Sequence, residues 1–188
     1  MSRYHTANTS GSKSRFIEMF KDEIRRPLGE IVTTTSGGTP SSKNKAFYEN
    51  GTIPWLTSGE VGQGYIQSTQ NYITDEGMQN SSAKWVPKDS VVIAMYGATA
   101  GKTGLLGIRC TTNQAVCSLL PSDMFLPKFL YYAVKSMEEW MISQAIGGAQ
   151  PNISQAVIKK MLVPCPIKEL QSRFVFFAEQ ADKSGYFN

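Results

Sequence analysis

Histidine is almost missing from this 188-residue chain; its one copy, His5, lies in a polar stretch near the N-terminus. A catalytic Ser-His-Asp or Cys-His arrangement needs a positioned imidazole, so both are excluded as readings of this sequence. Cysteine is scarce too. Cys110, Cys117 and Cys165 are odd in number, and their spacing matches no metal motif, so buried reduced thiols are expected. No stretch offers the run of about 18 apolar residues that a membrane span needs. Met1 to Thr6 lack the apolar segment of a signal peptide. The chain reads as cytoplasmic, with no membrane partner, and Asn-x-Ser/Thr triplets such as Asn80-Ser81-Ser82 are chance matches.

Further absences narrow the chemistry. None of the ten Glu residues is followed two positions later by Lys, so the Glu-x-Lys signature of many nucleases is missing. Neither Asn-Pro-Pro-Tyr nor Asp-Pro-Pro-Tyr occurs, which removes the usual amino-methyltransferase site. Gly97-Ala98-Thr99-Ala100-Gly101-Lys102-Thr103 follows an apolar strand as a phosphate-binding loop would, but that loop needs Gly five residues before its Gly-Lys pair. Tyr96 stands there, and the Gly104-Leu105-Leu106-Gly107 that follows is poor helix. A small phosphate-binding enzyme remains only a remote alternative.

What is present is enough apolar residue, 41%, for a real core in one domain. A net charge of +4 and an isoelectric point near 8.9 suit a phosphate-rich partner, and also suit many ordinary cytosolic proteins. Residues 1–13 read as a disordered tail. Residues 14–27 read as an N-terminal helix with Phe16, Ile17, Phe20 and Ile24 on its apolar face, ended by Pro27. Residues 28–166 read as the main domain. There Ile31-Val32, Ile53 to Leu56, Gly64 to Ile66, Val91 to Met95 and Ala115 to Leu120 have the pattern of strands. Leu126, Phe129, Leu130, Ala133, Val134, Met137, Trp140 and Met141 have the spacing of one amphipathic helix, and a short helix over residues 155–160 leads to a strand ended by Pro164 and Pro166.

Between those last elements lies Gly147 to Ser154, where Asn152 or Ser154 can cap the next helix, and Gln150 and Asn152 are free to bond outward. Residues 167–184 read as a terminal helix on which Ile167, Leu170, Phe174, Phe177 and Ala181 form a heptad-like seam. The fold class is α+β, with a small mixed β-sheet and peripheral helices. Trp55 and Trp85 are expected in the core.

Three polar turns, each placed after an apolar run, hold the functional residues. Gly37 to Lys45 offers Thr39, Ser41, Lys43 and Lys45; Thr57 to Glu60 offers Ser58 and Glu60; Gly97 to Thr103 offers Thr99, Lys102 and Thr103. Hydroxyls and amides for base edges, with Lys for phosphates, are what a DNA surface needs. Glu60 has two readings: an acceptor for a cytosine amino group, or a structural acceptor for nearby loop amides.

In this order these elements resemble the target recognition domain of type I restriction–modification specificity subunits. The resemblance runs through Gly38-Thr39-Pro40-Ser41, Ile53 to Gly59, Gly97 to Lys102, Thr112-Asn113-Gln114-Ala115, the Gly147 to Ser154 loop and the Val163 to Pro166 exit. It implies a non-catalytic DNA reader whose partners are double-stranded DNA, modification methyltransferase subunits and a restriction subunit. It also implies that this chain binds no cofactor, with S-adenosylmethionine, ATP and Mg belonging to those partners. Family members usually carry two such domains joined by long helices, so pairing with a second copy or a second half-subunit through the terminal seam is expected. A donor fragment, or a recognition domain of another restriction–modification class, is the alternative.

Overall fold

Every residue of β7 (Val91–Ala94) is buried, because layers cover both faces of its sheet. The computed structural model describes residues 15–147 and 151–183. The tail expected over residues 1–13, with His5, lies outside them, as do Gln150 and the chain beyond Lys183. A central sheet has the order β2-β10-β7-β8-β4, built from β2 (Thr34–Ser36), β4 (Tyr65–Ile66), β7, β8 (Thr103–Leu106) and β10 (Val116–Leu119). A second sheet has the order β5-β3-β9-β6, from β3 (Ile53–Leu56), β5 (Asn71–Ile73), β6 (Trp85–Val86) and β9 (Cys110–Thr112). Pairing is antiparallel except for β3 with β9 and β4 with β8, so the sheets are mixed. The α+β architecture with small mixed sheets is the one expected.

Alternation along the strands divides the core into layers. Val91, Ile93, Leu105, Cys117 and Leu119 face the helices, while Val92, Ala94, Leu106 and Val116 meet Leu56, Val86 and Cys110 of the second sheet. On that sheet's far face Ile53, Trp55, Ile73 and Ala83 form a smaller cluster with Tyr48, Met78 and Trp85, roofed by a 3-10 turn (Lys45–Phe47) and α3 (Asp75–Gln79). Trp55 is buried, as expected. Trp85 is half-buried, with the Arg109 guanidinium 4.2 Å from its ring centre.

The helices cover the first face. They are α1 (residues 15–19), α2 (Leu28–Ile31), α4 (Pro127–Lys135), α5 (Glu138–Ser143), α6 (Gln155–Lys160) and α7 (Lys168–Lys183). Phe16 and Phe20 of the N-terminal segment meet Phe129 of α4 and Phe174 of α7 in an edge-to-face cluster with centroids 4.9–6.2 Å apart. The N-terminal helix is shorter than the sequence suggests. Ile24 is 75% exposed, and Arg25–Pro27 form β1, a strand paired with β11 (Leu162–Pro164). Ile31 lies in a helical turn and Val32 caps it, so the strand comes later, at Thr34. The single helix expected over residues 126–141 is two. Ser136 turns its hydroxyl back onto the Ala133 carbonyl at 2.7 Å, and Met137 N bonds Val134 O, which breaks the helix between α4 and α5.

The line of α7 that enters the core is Gln171, Phe174 and Ala178, rotated from the expected seam. Leu170 and Ala181 are half-buried, Phe177 lies beneath the Arg15 guanidinium, and Ile167 is 65% exposed. Buried Gln171 fixes the helix: its Oε1 accepts from Leu126 N at 2.8 Å, and its Nε2 donates to Met124 O and Pro166 O, each at 2.9 Å. No helix among the described residues is long and apolar enough to cross a membrane.

Burial pushes the Cys110 and Cys117 thiols up to about 12 from the usual 9.0, with the Glu60 carboxylate adding to the effect on Cys110. The folded chain therefore keeps two protons that an unfolded chain releases as pH rises from 9.0 toward 12. Stability from these thiols is full below that window and falls through it. At about pH 8 a thiol reagent should label half-buried Cys165 first, with Cys110 and Cys117 reacting only on unfolding. Equal rates at all three would contradict this burial.

Candidate nucleic-acid interface

Each of the three polar turns follows the C-terminal end of a strand: residues 37–45 follow β2, residues 57–63 follow β3, and residues 96–102 follow β7. A fourth turn, residues 113–115, follows β9 and bonds to all three. Gly38 N donates to Thr112 O at 2.9 Å, Asn113 N to Leu56 O at 3.0 Å, and Met95 N to Ala115 O at 2.8 Å. Asn113 holds its own turn closed by accepting from Ala115 N through Oδ1 at 3.2 Å. Residues 151–153 join the same edge, with Gly97 N on Pro151 O at 3.1 Å and Ile153 N on Met95 O at 2.8 Å. Five separate stretches of sequence thus form one continuous rim.

Glycine is required at two points of it. A Cβ on Gly37 would stand 1.8 Å from Thr112 O, closer than any side chain can approach. Gly97 has φ 76°, a left-handed backbone that opens the third turn. The first turn is further pinned by the Trp55 indole, which donates to Gly38 O at 3.0 Å, and by the Tyr48 hydroxyl on Pro40 O.

Of the residues expected to face DNA, the first turn presents the most. Thr39, Ser41, Lys43 and Lys45 are exposed, and the Thr39 hydroxyl donates to Gln114 Oε1 of the fourth turn. Ser58 and Thr99 are half-exposed on the second and third turns, which lie against each other, with the Lys102 side chain over Gly62. Lys102 is exposed but shared: its ammonium pairs with Glu138 at 2.6 Å. Two residues do not reach the rim surface. Thr103 is 6% exposed because it begins β8 and belongs to the sheet.

Glu60 is 4% exposed, and its carboxylate accepts from Thr57 N at 3.0 Å, Thr57 Oγ1 at 2.8 Å, Gln70 N at 2.7 Å and Asn71 Nδ2 at 3.4 Å. The geometry matches the structural reading of this residue. Thr57-Ser58-Gly59-Glu60 is a capping box, a signature visible in the sequence that the search for a base reader passed over. Sequence reasoning also passed over Asn113 and Gln114 as site residues. Their polar pair just ahead of the apolar run Ala115 to Leu120 was the available signal. Of the seam residues, Leu170, Phe174, Phe177 and Ala181 lie on α7 and Ile167 just before it, away from the rim. Among the described residues no group of three or more His, Cys, Asp or Glu could hold a metal ion.

Among the described residues the rim carries hydroxyls, amides and ammonium groups that can bond and screen, and no nucleophile with a base beside it.

Residues 23–184 match the family model described as the type I restriction modification DNA specificity domain. The chain is 30% identical over 162 residues to the EcoR124I/EcoR124II specificity subunit of Escherichia coli, covering 84% of this chain and 40% of that protein. It resembles a chain of a type I R-M system solved for its complex assembly and conformational transition, with a TM-score of 0.69 and 19% identity, over 93% of this chain and 44% of that one. The HsdS subunit from Thermoanaerobacter tengcongensis gives a TM-score of 0.68 and 20% identity over 92% and 42%. The chain therefore spans well under half the length of these relatives.

Replacing Glu60 with Ala should strand the Thr57 and Gln70 amides, costing about 1–3 kcal/mol. The expected outcome is a lower melting temperature with an unchanged DNA sequence preference. A relaxed preference at one base pair, at constant melting temperature, would reverse the assignment.

Proposed function

Because the chain belongs to the type I restriction modification DNA specificity domain family, we propose that it is a non-catalytic reader of double-stranded DNA that recognises one half of a bipartite site through the strand-end rim. One observation carries this reading: turns from five distant stretches are hydrogen-bonded into a single polar edge, with its cations on the exposed side. Thr39, Ser41, Ser58 and Thr99 supply hydroxyls for base edges and phosphates, and Lys43 and Lys45 supply charge for the backbone. Lys102 contributes where a phosphate competes with Glu138. An exposed pair of this kind is worth about 1 kcal/mol at most, so the exchange is cheap.

The reading extends to partners. Methylation and cleavage belong to modification methyltransferase and restriction subunits, which hold S-adenosylmethionine, ATP and Mg. One recognition domain reads one half-site, so this domain acts beside a second such domain. Ile167, just before α7, and Phe176 and Phe177 on it keep apolar surface exposed at the place where such a helix would meet its neighbour. Two identical halves are related by a two-fold axis and read an inverted repeat.

Binding to mixed-sequence duplex should fall steeply with salt. Lys43→Gln and Lys45→Gln should each weaken all sequences about equally and reduce the salt slope by about one. Gel-shift titrations over a salt series measure both. A slope unchanged in the double variant would move the interface away from the first turn.

A further inference from the structure

Beside the third turn the structure forms a short three-stranded ladder that none of the DNA-facing turns accounts for. Asn152 and Ile146 exchange both backbone bonds, Ile146 N to Asn152 O at 3.0 Å and Asn152 N to Ile146 O at 2.9 Å. On its other side Asn152 stands opposite Tyr96, in the bridge flanked by the Gly97–Pro151 and Ile153–Met95 bonds. Residues directly opposite in antiparallel pairs put their side chains on the same face. Tyr96, Asn152 and Ile146 therefore stand in one row.

The alternation fixes which face that is. Met95 and Ile153, the neighbours of Tyr96 and Asn152, are 3% and 0% exposed and point into the core. The row points out: Tyr96 is 39% exposed, Ile146 79%, and Asn152 is exposed as well. A single exposed Ile needs no explanation. An aromatic ring, a carboxamide and a branched aliphatic chain in register, beside the rim, call for one.

We propose that this row reads an A·T step in the major groove, with the Asn152 carboxamide on adenine N6 and N7, and Ile146 and Tyr96 against thymine 5-methyl groups. The chemistry fits this ligand and no other base pair as well. A carboxamide offers one donor and one acceptor in the spacing of adenine's N6 and N7, and apolar side chains contact the thymine methyl. The Asn152 amide and carbonyl are tied to Ile146, and its neighbours Pro151 and Ile153 are tied to Gly97 and Met95, so its side chain is presented from a rigid base. The inference rests on the DNA-reading function proposed above and assigns the specificity of one position within it.

The test uses the 188-residue chain and a pool of random-sequence duplexes, sequencing the bound fraction for the wild type, Asn152→Leu and Ile146→Ala. The wild type should enrich a motif containing an adenine that Asn152→Leu no longer selects, a loss of about ten-fold at that position alone. The enriched duplex is then rebuilt with 7-deazaadenine, which lacks the N7 acceptor, or with deoxyuridine, which lacks the methyl. Each should weaken wild-type binding, deoxyuridine by about four-fold, the worth of one buried methyl. Deoxyuridine should cost Ile146→Ala less than it costs the wild type. These two analogues test the proposal on the unaltered protein even if a variant fails to fold. Variants that enrich the wild-type motif unchanged, with analogues that bind as well as the natural bases, overturn the row's role and leave the DNA-reading function standing. A wild type that enriches no motif overturns that function, and this assignment with it.

Discussion

Residues 112–115 make backbone bonds to three stretches that lie between 20 and 74 residues away in sequence, through Gly38–Thr112, Asn113–Leu56 and Met95–Ala115. Each buried amide must find a partner somewhere, and here the partners are one another. That requirement, met at the ends of β3, β7 and β9, places the polar turns side by side. Without it the hydroxyls and lysines would be scattered over loops with no common orientation. The close approach at Gly37 belongs to the same constraint, since the first turn joins the rim only where no side chain intervenes.

Behind the rim, the fold is organised to keep it rigid. Two sheets share one apolar layer, and β7, β9 and β10, which meet the rim, are buried along their length. Glu60 adds an anchor of a different kind, a buried carboxylate that ties the second turn to residues 70 and 71 through four donors. At the opposite end of β10 the Gln171 amide clamps residues 124–126 to α7, and the Phe16–Phe20–Phe129–Phe174 cluster completes the attachment. The helix direction is thus set at one end of the domain and the recognition surface at the other, joined by stiff strands. A domain that must hold a DNA half-site at a fixed distance from its neighbour needs that stiffness.

Much of this was legible in the residues, and the failures have physical causes. β3, β7 and β10 were readable because burial on both faces leaves unbroken apolar runs. β8 was not. Gly104 reads as a helix breaker, yet it is a strand residue because a Cβ there would meet Val61 O and Ile66 Cδ1 at 2.7 Å. β9, only Cys110-Thr111-Thr112, is too short and too polar to show a period, although all three residues are buried. The α7 seam was read at the right spacing and the wrong phase. Periodicity counts apolar residues, and the innermost residue of that face is the glutamine whose hydrogen bonds make its burial affordable. At the rim, the turns of the resemblance were visible one by one. Their meeting was not, because backbone hydrogen bonds between distant strand ends leave no mark on side-chain chemistry.

Amide hydrogen exchange of the chain, with and without a duplex that it binds, tests the shared rim most directly. The account predicts slower exchange on DNA addition at residues 37–45, 57–60, 96–101 and 112–115 together, with residues 121–126 and α7 unchanged. Protection confined to α7 and residues 15–26, with the four turns exchanging as before, would contradict it.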